Sequence, residues 1–226
     1  MPIKFITTNE TFSQRIQEYE GYELDKNVFV MKIEDYVPDP SSSCKRTYYV
    51  SPANSLCFMD GGIDKALSQV VFPGIQTKVK KMVEVEIGYK NRLGRSYLPI
   101  GSSVVVDVDP TRSLIVSPTM LLPQNVSKTN NAYYATMAVL YHILVVRRER
   151  LSDVDILLTS FCCGYGKMDE DISVKQMLQG IYNYVNYKPR ILNQNIVFHE
   201  PNLKDQPKYY QNTEWFNVPP AELIRC

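Results

Sequence analysis

The chain has 226 residues, enough for one domain with a sizeable core. Its 25 basic and 24 acidic side chains nearly cancel, which removes the electrostatic case for nucleic acid or an anionic membrane as the main partner. Five cysteines, an odd number that includes the adjacent Cys162 and Cys163, exclude the evenly spaced framework of a small secreted scaffold. They point to a reducing compartment, the cytoplasm first, with the nucleus also open. The opening stretch MPIKFITTNETFSQRI has no apolar core, so no secretory signal is expected. The longest apolar run, residues 132–146, is shorter than the ~20 residues a bilayer span needs and reads as a buried helix.

Apolar runs of strand length alternate with stretches of helical spacing, the pattern of an α/β fold with helices on both faces of a sheet. The run RTYYVSP (46–52) predicts a strand that stops at Pro52. After the turn at Gly61 and Gly62, residues 63–71 predict a helix, and PGIQTKVKKMVEVE predicts another with Pro73 near its first turn. SSVVVDV and SLIVSP, separated by DPTR, predict a hairpin, so the sheet is mixed. A long helix is expected over 129–150, with Tyr133, Met137, Leu140, Tyr141 and Leu144 facing the core and RRER closing its last turn. DILLTSF (155–161) reads as a central strand. Ser173 with Gln176 has the spacing of a capping box for a last helix. Residues 188–226 are polar and rich in proline, yet they carry Phe198, Tyr209, Tyr210, Trp215 and Phe216, too much aromatic area for a disordered tail. They are expected to pack as an extension on the domain formed by residues 1–187.

Two glycine loops follow two of these strands, NSLCFMDGGID and SFCCGYGKMDED. In open α/β sheets, ligands settle beyond the carboxyl ends of the strands, where loops meet helix starts. Glycines let backbone N–H groups approach an anion, so a diphosphate could lie between the loops. Neither loop is a P-loop or a dinucleotide fingerprint, since GYGKM lacks the hydroxyl and the spacing and no G-x-G-x-x-G is present. Each loop alone is equally consistent with a plain tight turn; their combination with Asn54 is more specific.

These segments together resemble the macro domain family. Its first ligand loop reads like N-A-A-N-S followed by a glycine cluster, matched here by SPANS (51–55) and GGIDKAL (61–67). Its second is a glycine-rich loop after a buried strand, matched by Cys163, Gly164, Tyr165 and Gly166. LPIGSSVVVDV, LIVSPTM and TNNAYYATMAVL further resemble a subgroup bearing F-M-D-G-G-I-D, and the likeness runs from about Asp35 to about Tyr187.

The resemblance implies a three-layer α/β/α fold with a mixed central sheet and a cleft for ADP-ribose. Asn54 would hydrogen-bond the distal ribose, Gly61 and Gly62 would line that sugar and its phosphate, and Gly164, Tyr165 and Gly166 would hold the diphosphate. Asp35 stands where the family has an acid that accepts from the adenine amine, although the usual G-D-I is here Glu34-Asp35-Tyr36. Cys162 and Cys163 replace the family's glycine and hydroxyl residue.

Asp64 has two readings. It offsets the dipole of the helix it opens, or it orients or deprotonates a water beside the ribose, with Asn54 alongside, as the matching aspartate does in hydrolytic macro domains. The protein is then a hydrolase of ADP-ribosyl linkages, of the mono-ADP-ribosyl hydrolase or ADP-ribose-1''-phosphate phosphatase type, or a reader that only binds. A third class is a structural domain whose cleft is unused. Tyr165 is favoured as a cover for the distal ribose; Phe58 and Met59 act as lids or pin the first loop. The loop cysteines read as small apolar filler, and His142 as a satisfied helix histidine. His199 with Glu200 lacks a second metal-spaced partner, so no metal and no cofactor are expected. The expected partner is ADP-ribose or an ADP-ribosylated macromolecule, with no membrane, and with nucleic acid only as an ADP-ribosylated substrate.

Overall fold

The apolar runs assemble into a sheet in the computed structural model, which describes residues 3–19, 27–39, 42–91, 94–187, 190–192 and 195–197. In chain order the strands are β1 (Ile3–Thr7), β2 (Val28–Val30), β3 (Arg46–Ser51), β4 (Val104–Asp107), β5 (Arg112–Val116) and β6 (Val154–Leu158). The helices are α1 (Glu10–Glu18), α2 (Gly62–Ala66), α3 (Ile75–Met82), α4 (Asn131–Tyr141) and α5 (Glu170–Tyr187). Wider helical turns over Leu67–Val71, Val83–Ile87 and His142–Val146 prolong α2, α3 and α4.

Among the described residues the sheet has six strands in the order β2-β1-β6-β3-β5-β4. The first five run parallel, and β4 pairs antiparallel with β5, as the predicted hairpin requires. The sheet is therefore mixed. β6 and β3 lie at its centre, which explains why every residue of β6 is buried.

Alternation along the strands sends side chains to two cores. Phe5, Tyr48, Val50, Ile156 and Leu158 pack with α1, α4 and α5 on one face. Ile6, Tyr49, Leu114, Val116 and Leu157 pack with α2 and α3 on the other. The result is three layers, α/β/α. Each fully buried large apolar side chain contributes about 1.5–3 kcal/mol of transfer free energy. α4 lies in the first core with Ala132, Ala135 and Ala138 all buried, and these small residues suit its close packing on α5.

Three helix ends differ from the sequence expectation, and the strand expected to reach Phe161 stops at Leu158. α3 begins at Ile75, because Gly74 takes a left-handed conformation (φ 79°) that interrupts the helix predicted from Pro73. RRER does not close the α4 helix. The helical path stops at Val146, Arg148 turns left-handed (φ 55°), and Arg147 reaches both carboxylate oxygens of Asp107 at 2.6 and 2.8 Å. Arg147 Nη2 alone spans the two oxygens, a charge-assisted contact at the end of β4.

Ser173 does not cap α5 either. Asp169 accepts from the backbone N–H of Asp171 at 2.9 Å and of Ile172, so the helix starts a turn earlier. Ser173 is buried and donates to the Phe161 carbonyl at 2.7 Å, while Gln176 donates to the Thr129 carbonyl at 2.7 Å. The pair ties α5 to the second glycine loop and to the start of α4. Of the C-terminal extension, the short antiparallel strands β7 (Arg190–Leu192) and β8 (Asn195–Val197) are described. Its aromatic residues lie outside the described residues.

Candidate functional site

The five parallel strands end at one edge of the sheet, and the segments that follow them enclose a cavity of about 800 Å³. That size suits a small-molecule ligand, for which pockets run ~300–1,000 Å³. Its wall takes Ile6 and Thr8 from the end of β1 and Met31–Glu34 after β2. It takes Pro52, Asn54, Phe58, Asp60 and residues 61–64 after β3, Thr119, Met120 and Pro123 after β5, and Thr159, Ser160, Cys162 and residues 164–166 after β6. Topology alone brings the two glycine loops together.

The first loop is fixed at both ends. Asn54 is 7% exposed; its Oδ1 accepts from the Leu56 N–H at 3.1 Å and its Nδ2 donates to the Phe58 carbonyl at 3.0 Å. The Ser55 N–H donates to the Met120 carbonyl at 2.8 Å, and the Met59 N–H donates to Gln76 Oε1 at 2.6 Å. Met59 is buried in the second core, so it pins the loop. Phe58 is exposed on the rim with the Lys80 ammonium 4.1 Å from its ring centroid. Gly62 then adopts φ 53°, a conformation that disfavours side-chained residues, as the chain enters α2.

Asp64, in the first turn of α2, lines the cavity and accepts a 2.6 Å hydrogen bond from Ser51 Oγ at the end of β3. Burial pushes its carboxyl up to about 7 and the neighbouring Asp60 charge pushes the same way, against the Ser51 hydrogen bond. A carboxyl balanced near neutrality is suited to accept a proton from water.

The second loop closes on itself. Cys162 takes φ 63°, the Met168 N–H donates to its carbonyl at 3.0 Å, and the Lys167 N–H donates to the Gly164 carbonyl at 3.0 Å. Gly166 admits no side chain, since a Cβ there would lie 2.3 Å from the Cys162 carbonyl oxygen and 2.8 Å from Val126 Cγ2. Tyr165 is 70% exposed and bridges the loops: a Cβ on Gly61 would stand 3.4 Å from its ring. Burial pushes the Cys163 thiol up to about 11 and the Cys162 thiol higher still, so both are neutral thiols. His142 meets Ser103 through Nδ1 at 3.1 Å, as a packed helix histidine should.

Solved structures share this arrangement of sheet and helices. A substituted form of the Oceanobacillus iheyensis macrodomain superposes with a TM-score of 0.50, at 17% identity, over 65% of this chain and 74% of that one. The chain has a macrodomain fold. Another form of the Oceanobacillus iheyensis protein, with ADPR, gives 0.49 at 16% identity over 69% of this chain and 76% of that one. The macrodomain of Mycobacterium tuberculosis DarG gives 0.44 at 19% identity over 65% and 88%. No family model matches the sequence, and no curated protein matches it.

On this macrodomain scaffold Asn54, Gly61, Gly62, Asp64, Gly164, Tyr165 and Gly166 line one cavity. Asp35 does not: it is exposed at the end of a single 3-10 turn, Ile33–Asp35, while Glu34 lines the wall. Tyr36, which follows that turn, accepts from the Lys4 ammonium at 2.9 Å. Cys163 also lies outside the lining, its thiol donating to the Phe161 carbonyl, and Cys162 takes its place. Thr159 and Ser160 were not singled out by the sequence reading. A polar pair closing an otherwise apolar central strand was the available signal. Among the described residues no cluster of His, Cys, Asp and Glu could hold a metal ion, and no helix is long and apolar enough to cross a membrane.

Proposed function

We propose that this macrodomain binds an ADP-ribosyl group in the cavity and hydrolyses the bond joining it to an acidic side chain or to phosphate. The observation that carries the reading is Asp64, held by Ser51 and poised near neutrality in a wall it shares with two glycine loops. The backbone of Gly61, Gly62 and Gly164 receives the diphosphate, Tyr165 covers the distal ribose, and Glu34 rather than Asp35 meets the adenine end.

In the reaction, a water oxygen bonds to the anomeric carbon as that carbon's bond to the acceptor oxygen breaks. The leaving carboxylate or phosphate keeps the electron pair, and Asp64 accepts the proton of the water. A carboxylate that titrates near the working pH performs this transfer efficiently.

One observation favours the alternative of a reader without turnover. The Asn54 amide already serves Leu56 and Phe58, so it holds its own loop before any ribose arrives. Calorimetric titration with ADP-ribose and with AMP, followed by single-turnover release from an ADP-ribosylated protein, tests both. Equal affinity for AMP and ADP-ribose would remove the distal-ribose assignment. Tight binding with no release leaves the reader.

A further inference from the structure

Thr159 follows the last residue of β6, and its hydroxyl is an anomaly. It is 4% exposed, and its Oγ1 is the one buried side-chain oxygen or nitrogen among the described residues with no hydrogen-bond partner. Such a group costs free energy unless something binds it. Its neighbours show how readily this fold satisfies a buried hydroxyl: Ser173 donates to the Phe161 carbonyl, Thr119 to the Pro52 carbonyl and Ser51 to Asp64. Thr159 lines the cavity, and among the described residues its hydroxyl is the one solvent-closed side-chain group without a protein partner.

The sheet register locates it. Continuing the pairing of Phe5 with Leu158 sets Thr159 beside Ile6, and continuing the pairing of Tyr49 with Leu157 sets Ser51 on its other flank. Strand alternation turns it to the same side as Leu157. Thr159 therefore lies on the cavity floor, with Ile6 and the segment Met31–Glu34 towards one end and the Ser51–Asp64 pair towards the other.

We infer that the Thr159 hydroxyl is a ligand-recognition group that hydrogen-bonds the adenosine half of the bound nucleotide, the half lodged against Ile6, Ile33 and Glu34. This rests on the ADP-ribose reading above. Before binding, the hydroxyl is closed to solvent and has no protein partner; on binding, the nucleotide supplies one. The role is positioning and specificity, and the reacting bond lies at the Asp64 end.

The test is Thr159→Val, which keeps the shape and removes the hydroxyl. Calorimetry with ADP-ribose, ADP and AMP is run on both proteins, with a melting curve for each without ligand. The expected result is a loss of about 5–30-fold in affinity for all three nucleotides, with a melting temperature equal to or above that of the wild type. Thr159→Ser, which keeps the hydroxyl, restores most of the affinity. Unchanged affinity of Thr159→Val in a folded protein overturns the inference, and so does a loss confined to ADP-ribose, which would move the contact to the distal ribose. Failure of the wild type to bind any of the three nucleotides instead overturns the reading on which the inference stands.

Discussion

Ser51 donates a 2.6 Å hydrogen bond to Asp64, joining the last residue of the central strand β3 to the first turn of α2. Ser51 is buried, so its hydroxyl has a fixed direction, and it favours the ionised form of a carboxyl that burial otherwise holds protonated. This relationship sets the working range of the proposed base. Removing the bond with Ser51→Ala should raise the Asp64 pKa from about 7. The acid limb of the rate of ADP-ribose release should then move upward by about one pH unit, lowering the rate at neutral pH roughly 3–10-fold. The measurement is a single-turnover pH profile of both proteins. Superimposable limbs would show that Asp64 is not the titrating base.

The same carboxyl makes a stability prediction. A folded-state pKa of about 7 against an ordinary value of 3.8 means that the folded chain keeps a proton the unfolded chain has released. Stability from this group is therefore greatest below about pH 4, falls as pH rises through the window to about 7, and is flat above it. Asp64 is partly exposed, so the full shift is discounted to a cost on the order of 1–2 kcal/mol at neutral pH, about 3–6 °C in melting temperature. Asp64→Asn should remove that dependence, melting higher than the wild type at pH 7.5 and close to it at pH 4. Parallel melting-against-pH curves would contradict the assignment.

The architecture was legible because it rests on periodicity. The apolar runs 46–52 and 155–161 correspond to β3 (Arg46–Ser51) and β6 (Val154–Leu158), and DPTR joins the expected hairpin. The first glycine loop was legible for a local reason: Gly61, Gly62 and Asp64 follow a strand end directly, and sequence order is spatial order there. What stayed hidden depends on tertiary partners. Glu34 lines the cavity and Asp35 does not, a difference between adjacent acids that depends on how the folded turn sits against the wall. Ser173 looked like a cap because capping boxes are read from spacing alone, whereas the Phe161 carbonyl it serves comes from the far end of the loop. Thr159 was invisible because a missing partner is a property of the folded wall.

The two glycines of the second loop should separate folding from binding. Gly166→Ala places a Cβ against the Cys162 carbonyl and Val126, and should cost about 2–4 kcal/mol with a matching fall in melting temperature. Gly164 is exposed and a Cβ there meets nothing within 4 Å. Gly164→Glu should therefore fold normally and lose ADP-ribose affinity at least 10-fold, because the carboxylate repels a diphosphate. Melting curves and calorimetry on both variants check this. A folded Gly164→Glu protein with unchanged affinity would place the diphosphate elsewhere.

Tyr165 offers the sharpest separation of ligand contact from fold. Its ring is largely in solvent, so it contributes little to the cores, yet it sits between Gly164 and Gly166 and leans towards Gly61 across the cavity mouth. An aromatic side chain left exposed in that position costs the folded protein apolar hydration and gains little until a ligand slides beneath it. Tyr165→Ala should leave the melting temperature within about 2 °C of the wild type, since surface truncations away from packed features stay within about 0.5 kcal/mol. It should weaken ADP-ribose binding roughly 5–20-fold by removing the ring's contact area. The loss should be much smaller for AMP, which has no distal ribose to cover, and Tyr165→Phe should restore most of the affinity because the ring face makes the contact. Calorimetry with ADP-ribose and AMP on the three proteins decides it. Equal losses for the two ligands would place the ring over the adenosine half, and no loss for either would show that Tyr165 stands clear of the ligand.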